Sequence, residues 1–500
     1  MLRNYFLGAA ALAALAGAQA DAAVTISNKP THDFQCTSGV CTATARKANM
    51  NAGDLASMLA SSDIALENGQ LTKGFDFDAA LSWASTHKLT IETRAAINFL
   101  KPINVTGGGA LAIRINQGQA ELNFYPGSRI IFLDTSSQFS IDDTSFTLVA
   151  DIQTLANDIA AQPSGAFALA NSYDAGPDGV YTDDPIPTVF SGDFHGLGNT
   201  ISGLRIKSST PGNLVGLFHG TEEAVISDLR LEHVKVEGGK QSTTGGLAGL
   251  CSGLFVNVSV SGNVSAGLNS YVGGVCGAID GNIVNVHSAG IVTGKGDNGT
   301  SQNAVGGVAG SMQGNIIGES SSSAKVTGGK GWAAGGLIGQ SIDDNLVTQS
   351  YATGTVSVGD NGIAGGLVGN NADGSHVDTS YATGFVGGGV SSTVGGFIGL
   401  NNGPVTDAYS SGAVASGSGN AVGGLIGNDL GANDLTDTYW DTDTSGQSHG
   451  VGSNTAYPGV TGLTTAQFQA GLPAGFNSLF WAEDPSINNG LPYLLPENPQ

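Results

Sequence analysis

A near-exact internal period constrains this chain more than any other feature. A glycine pair, two apolar residues and a third glycine begin at Gly245, Gly273, Gly306, Gly335, Gly365, Gly395 and Gly423. Subtraction gives spacings of 28, 33, 29, 30, 30 and 28 residues. A degenerate copy, VGLFHG, starts at Val215. The second half of each unit keeps the same beat: Tyr351, Tyr381, Tyr409 and Tyr439 follow their own glycine pair by 16, 16, 14 and 16 residues. A fixed period of this length means one supersecondary unit per repeat, unable to bury its apolar face until its neighbours stack on it.

Within a unit the apolar runs are short and alternating. Val347, Gln349 and Tyr351 read as one face, and Val356 and Val358 as another. Gly, Asn, Asp and Ser punctuate the runs, which is strand and turn grammar. The apolar stripe of helical solenoids is missing, and this much glycine (78 of 500 residues) would dissolve helices. Coils of short strands are therefore expected, each strand pairing with its twin about 4.8 Å away in the next coil. The pairs Gly245 and Gly246, Gly273 and Gly274, Gly306 and Gly307, Gly335 and Gly336, Gly365 and Gly366, Gly395 and Gly396, and Gly423 and Gly424 are then structural glycines. They recur where every coil bends or where backbones approach closely. Tyr351, Tyr381, Tyr409 and Tyr439 should stack as a half-buried ladder; an exposed aromatic strip for sugars is the functional alternative.

The first residues, MLRNYFLGAAALAALAGAQA, read as an export signal spanning 1–20: a basic Arg3, an apolar core and an A-x-A cleavage site. Residues 21–200 form a β-rich region with two short helices, Ala52–Ser61 and one near residues 149–161 with Asp151 as N-cap. Residues 201–440 hold the repeats, and 441–500 a closing segment, since a solenoid needs caps. No later run is long and apolar enough to span a bilayer. The net charge of −23 excludes nucleic acid as a partner. Four cysteines suit a compartment outside the cytosol. Cys36 and Cys41 sit in CTSGVC and can close as a disulfide; Cys251 and Cys276 are either a second pair or two small buried apolar residues.

Signs of chemistry are sparse. After Lys240 the only basic residues besides histidine are Lys295, Lys325 and Lys330, too few for a lyase that must neutralise a uronate. The acid pairs Asp183–Asp184 and Asp343–Asp344 read as solvated loops. No zinc motif or nucleophile elbow is present. DTDTSG (Asp441–Gly446) and GDNG (Gly296–Gly299 and Gly359–Gly362) read as Asx-turns, with calcium loops as the alternative. No cofactor is therefore called.

At GGLIG, GGLVG and GGFIG followed by SYATG, the chain resembles the GLUG repeat of bacterial secreted and surface proteins. GDFHGLGNTISGL and YWDTDTSGQS resemble that family's leader and closing motifs, and NMNAGDLASMLASSDIAL resembles filamentous-haemagglutinin-type exoproteins. The resemblance implies a right-handed parallel β-helix, secreted or held at the cell surface through an outer-membrane export partner. It also implies a non-catalytic adhesin engaging a surface glycan or protein. A structural extracellular-matrix protein and a carbohydrate-active β-helix enzyme are the alternatives.

Overall fold

The computed structural model describes residues 24–69, 74–115, 122–296, 303–372, 374–418, 421–431, 434–452 and 457–495. The export-signal reading of 1–20 lies outside them. About half of the chain is strand (51 %, against 7 % helix), wound into a parallel β-solenoid of about 14 turns.

Register makes the period visible. Ile338 pairs with Val368, Val368 with Ile398 and Ile398 with Ile426. Val356, Val386 and Val414 form a second ladder, and Gly335, Gly365, Gly395 and Gly423 a third. All six of the valines and isoleucines in the first two ladders beyond Ile338 point inward and are buried, so one apolar column runs through the coils. Part of the interior is polar. Ser341, Asn371, Asn401 and Asp429 follow one another in register. The Asn371 amide donates to Asn401 Oδ1 (2.8 Å) and Asn401 to Asp429 Oδ1 (2.7 Å), and the Tyr457 hydroxyl meets the other Asp429 oxygen.

The region before residue 200 is coiled too. Strands Val24–Ser27, Phe75–Phe77, Ile97–Phe99 and Leu122–Phe124 form one ladder, along which Phe77, Phe99 and Phe124 stack at 5.4 and 4.8 Å. Asn51 caps helix Ala52–Leu59 and Asp151 caps helix Ile152–Ala161, each accepting backbone N–H bonds with its side chain. Two disulfides are formed. Cys36–Cys41 crosses an antiparallel hairpin, and Cys251–Cys276 ties two adjacent coils, whose strands pair in parallel.

Both causes offered for the glycine pairs hold: each pair lies at a bend between two strands, where backbones also approach closely. None has a positive φ. A Cβ on Gly366 would lie 2.8 Å from Ala382 Cβ and closer still to the Gly396 carbonyl oxygen. A second corner breaks the expected alternation. Val347 faces inward, Gln349 has φ +46°, and after it Ala352 faces inward while Tyr351 sits outside the coil, half-buried. One left-handed residue swings the chain round, so Val347 and Tyr351 do not share a face.

The tyrosines form the outer ladder. Tyr351, Tyr381 and Tyr409 stack at 4.9 and 5.2 Å, nearly parallel. Tyr439 keeps the register but meets Phe468 and Phe476 edge-on. The ladder is not an exposed strip: the C-terminal segment lies on it, packing Phe468, Phe476, Trp481, Leu491 and Leu494 against the rings. The Tyr409 hydroxyl donates to the Pro492 carbonyl (2.6 Å), and that of Tyr439 to the Ala474 carbonyl (2.7 Å).

A candidate carboxylate site at the left-handed corner

The corner residue recurs in register from coil to coil as Asp228, Asn257, Asn285, Glu319, Gln349, Thr379, Asp407 and Asp437. All eight have φ between +44° and +56°. Asp and Asn enter this region most easily among residues with a Cβ, because their short polar side chains bond locally. Early in the series neutral amides link the corners: Asn257 donates to Asp228 Oδ1 (2.9 Å) and Asn285 to Asn257 Oδ1 (2.7 Å). His287 joins them, its Nε2 2.7 Å from Asn285 Oδ1, and burial lowers its pKa to about 4.

The last two corners are different. Asp407 and Asp437 occupy successive positions, and Asp378 lies one residue before Thr379, beside Asp407. Asp378 Oδ1 accepts from the hydroxyls of Thr379 (3.0 Å) and Thr406 (2.8 Å). Thr406 Oγ1 is 3.1 Å from His376 Nε2, so a hydroxyl that donates to Asp378 accepts from a His376 protonated at Nε2. Burial pushes the Asp407 carboxyl up to about 6, and the neighbouring Asp378 and Asp437 add to the shift. Asp407 thus keeps a proton well above the ordinary carboxylate range. Burial first, then the charges of Asp437 and Asp407, raise the Tyr439 phenol. The C-terminal segment walls one side: Gly475, at φ +86°, lies so close to the Asp437 carboxylate that a Cβ there would collide with it.

A proton-bearing carboxyl beside other carboxylates can act as general acid next to a base or nucleophile. The repeat period alone does not mark these residues, although a signal exists. Asp407 and Asp437 each stand two residues before a repeat tyrosine, as DAY and DTY, where earlier coils have Gln349 and Thr379.

Other constellations fail on geometry. Ser227 Oγ lies 2.6 Å from His195 Nδ1, and Asp228 Oδ2 lies 3.5 Å from the same nitrogen. A nucleophile relay needs the two partners on opposite ring nitrogens. In DTDTSG, Asp441 Oδ1 caps helix Thr442–Ser445 through the Asp443 and Thr444 amides, and Oδ2 accepts from the Thr465 hydroxyl. Asp360 of the second GDNG accepts the Val390 amide at 2.8 Å; part of the first GDNG lies outside the described residues. Among the described residues, no group of three or more His, Cys, Asp or Glu side chains is arranged to hold a metal ion. No described helix is long and apolar enough to cross a membrane. Of the acid pairs, Asp343 and Asp344 lie exposed in a left-handed turn. Asp184 corrects the solvated reading: it is buried.

No family model matches the chain, and no curated protein matches it. Solved structures similar to it include the following two. One, named IgA1 Protease, is 20 % identical with a TM-score of 0.38, over 57 % of this chain and 20 % of its own. This chain therefore spans about a fifth of that protein. The other, a candidate immunoglobulin A1 protease from Bacteroides ovatus, is 15 % identical with a TM-score of 0.37, over 71 % of this chain and 93 % of its own. Both carry the name of an enzyme. That finding overturns the expectation of a non-catalytic adhesin and of a chain without enzymatic activity, and neither is kept. The names describe those proteins, and their substrates are not carried over.

Proposed function

We propose that the chain is an exported, carbohydrate-active β-solenoid enzyme that hydrolyses a glycan at the Asp407–Asp437 corner. One observation carries the reading: two in-register carboxyls on adjacent coils, one of them raised to about 6. The backbones of paired strands lie about 4.8 Å apart, which lets side chains on adjacent coils reach the carboxyl separation of about 5 Å that retaining glycosidases use. Asp407 then protonates the leaving glycosidic oxygen, and Asp437 attacks the anomeric carbon. Asp378 is held beside them by its two threonines. The acid–base step runs on these side chains alone. The resemblance to GLUG-type secreted proteins and the two disulfides support an extracellular setting.

The test is reducing-end release from a panel of bacterial and host polysaccharides by the purified chain. Release that vanishes in both Asp407→Asn and Asp437→Asn, with retention of anomeric configuration, is the expected result. A wild-type chain inert on the whole panel would sink the reading, as would cleavage of immunoglobulin A1 that survives both substitutions.

A further inference from the structure

One buried acid has no part in the carboxylate corner. Asp184 lies in the segment that enters the repeats, its side chain only 1 % exposed. Its Oδ2 is 2.7 Å from Nδ1 of His219, and its Oδ1 accepts the Gly216 amide at 2.9 Å. The next residue is Pro185, also buried. Just beyond it, Ile186 is clamped to the strand that carries His219: the Ile186 amide donates to the Leu217 carbonyl (3.1 Å), and the His219 amide to the Ile186 carbonyl (2.9 Å). The Asp184–Pro185 bond is thus held on the coil edge that carries the imidazole.

An aspartyl carboxyl can reach its own main-chain carbonyl in a five-membered ring. When proline follows, the leaving nitrogen becomes a secondary amine that accepts a proton readily. Those two facts apply to any Asp–Pro bond. What this fold adds is a base in contact and a fixed geometry, which turn a slow reaction into an oriented intramolecular one.

We propose that the folded chain cleaves its own Asp184–Pro185 peptide bond, with the Asp184 carboxyl as nucleophile and His219 as proton carrier. His219 takes the carboxyl proton from Oδ2. The carboxylate attacks the Asp184 carbonyl carbon, an oxygen–carbon bond forms, and the carbon–nitrogen bond to Pro185 breaks. The proton passes from the imidazolium to the proline nitrogen, leaving a cyclic anhydride on one fragment and a free Pro185 amine on the other. Water then opens the anhydride and restores the side-chain carboxyl beside a new C-terminal one. Burial favours the protonated carboxyl from which the sequence starts, against the opposing pull of His219 and the Gly216 amide. His219, 30 % exposed in its side chain, gives water an approach.

The chain contains its own control. Asp484–Pro485 is the same dipeptide, but the Asp484 carboxylate accepts from the Ser486 amide and hydroxyl, and among the described residues no imidazole is bonded to it. The experiment is intact-mass and N-terminal analysis of the purified full chain, incubated folded and in denaturant. A fragment beginning at Pro185 is expected, formed about 10²-fold faster than one beginning at Pro485, a modest acid–base contribution. Denaturant should erase that preference. Asp184→Asn should stop cleavage and His219→Gln slow it. Pro185→Ala, which leaves carboxyl and imidazole in place, should slow it as well. Three results would each overturn the proposal: no fragment beginning at Pro185, equal rates at both Asp–Pro bonds, or unchanged cleavage in Asp184→Asn. The outcome is independent of glycan hydrolysis, since no residue is shared.

Discussion

Gly366→Ala tests the reading of the glycine pairs most directly. The added methyl would sit 2.8 Å from Ala382 Cβ and 3.0 Å from the Gly396 carbonyl carbon, and closer to that carbonyl's oxygen. Real Cβ atoms do not approach so closely, and the obstacle is backbone, which cannot rotate away. The next coil must shift, and Gly366 N–H, bonded to the Gly395 carbonyl at 3.3 Å, shifts with it. Overpacking of this kind costs about 1–3 kcal/mol. A strained ladder bond adds about 1 kcal/mol, so a loss of about 3 kcal/mol is expected. Gly431→Ala is the control, because its Cβ would meet only ordinary contacts at 3.6 Å and beyond; its effect should stay within about 0.5 kcal/mol. Calorimetry of both variants measures the difference. Hydrogen exchange locates it, since a solenoid loses stability coil by coil, and amides of residues 363–401 should lose protection first. Wild-type unfolding and exchange in Gly366→Ala would refute the idea that these glycines exist to let coils touch.

Three further outcomes follow from the structure. The native state of Asp407 holds its proton to about pH 6, whereas an unfolded aspartate releases it near pH 4. The native chain therefore binds more protons across that window, and stability falls as pH rises through it. Asp407→Asn should flatten the fall and raise stability at pH 7 by roughly 1 kcal/mol once solvent screening is allowed for, read as melting temperature against pH. Tyr409→Phe removes the hydroxyl that donates to Pro492 and accepts from Asn488. It should cost about 1–2 kcal/mol and speed limited proteolysis within residues 464–495, while the coils stay resistant. Replacing Cys251 and Cys276 together by serine opens a loop of 25 residues. The loss should be about 3 kcal/mol, seen in denaturant titration; no loss would mean that coil stacking alone fixes those strands.

The sequence by itself determined the coil. A 30-residue beat, glycine pairs and β-branched runs leave few ways to bury an apolar face other than stacking, and the tyrosines had to fall in register because their spacing matches the period, three of them with rings stacked. It offered bending and close approach as reasons for the glycines, and both hold, but which backbone a side chain would strike is decided by tertiary contacts: a clash with the next coil is invisible to local patterning. The same holds for the corner. Asn257, Gln349, Thr379 and Asp407 share no residue type, so nothing in their identities marks them as one structural position; stacking alone aligns them. The carboxyls of Asp407 and Asp437 are 30 residues apart in the chain and become neighbours because coils pair in register. Likewise, residues 465–494 read only as a closing segment. That they cover the tyrosine ladder, rather than leaving it open as a binding strip, is a long-range docking that no period encodes. Burial of Asp184 is decided the same way, by a coil edge that brings His219 to it from 35 residues downstream.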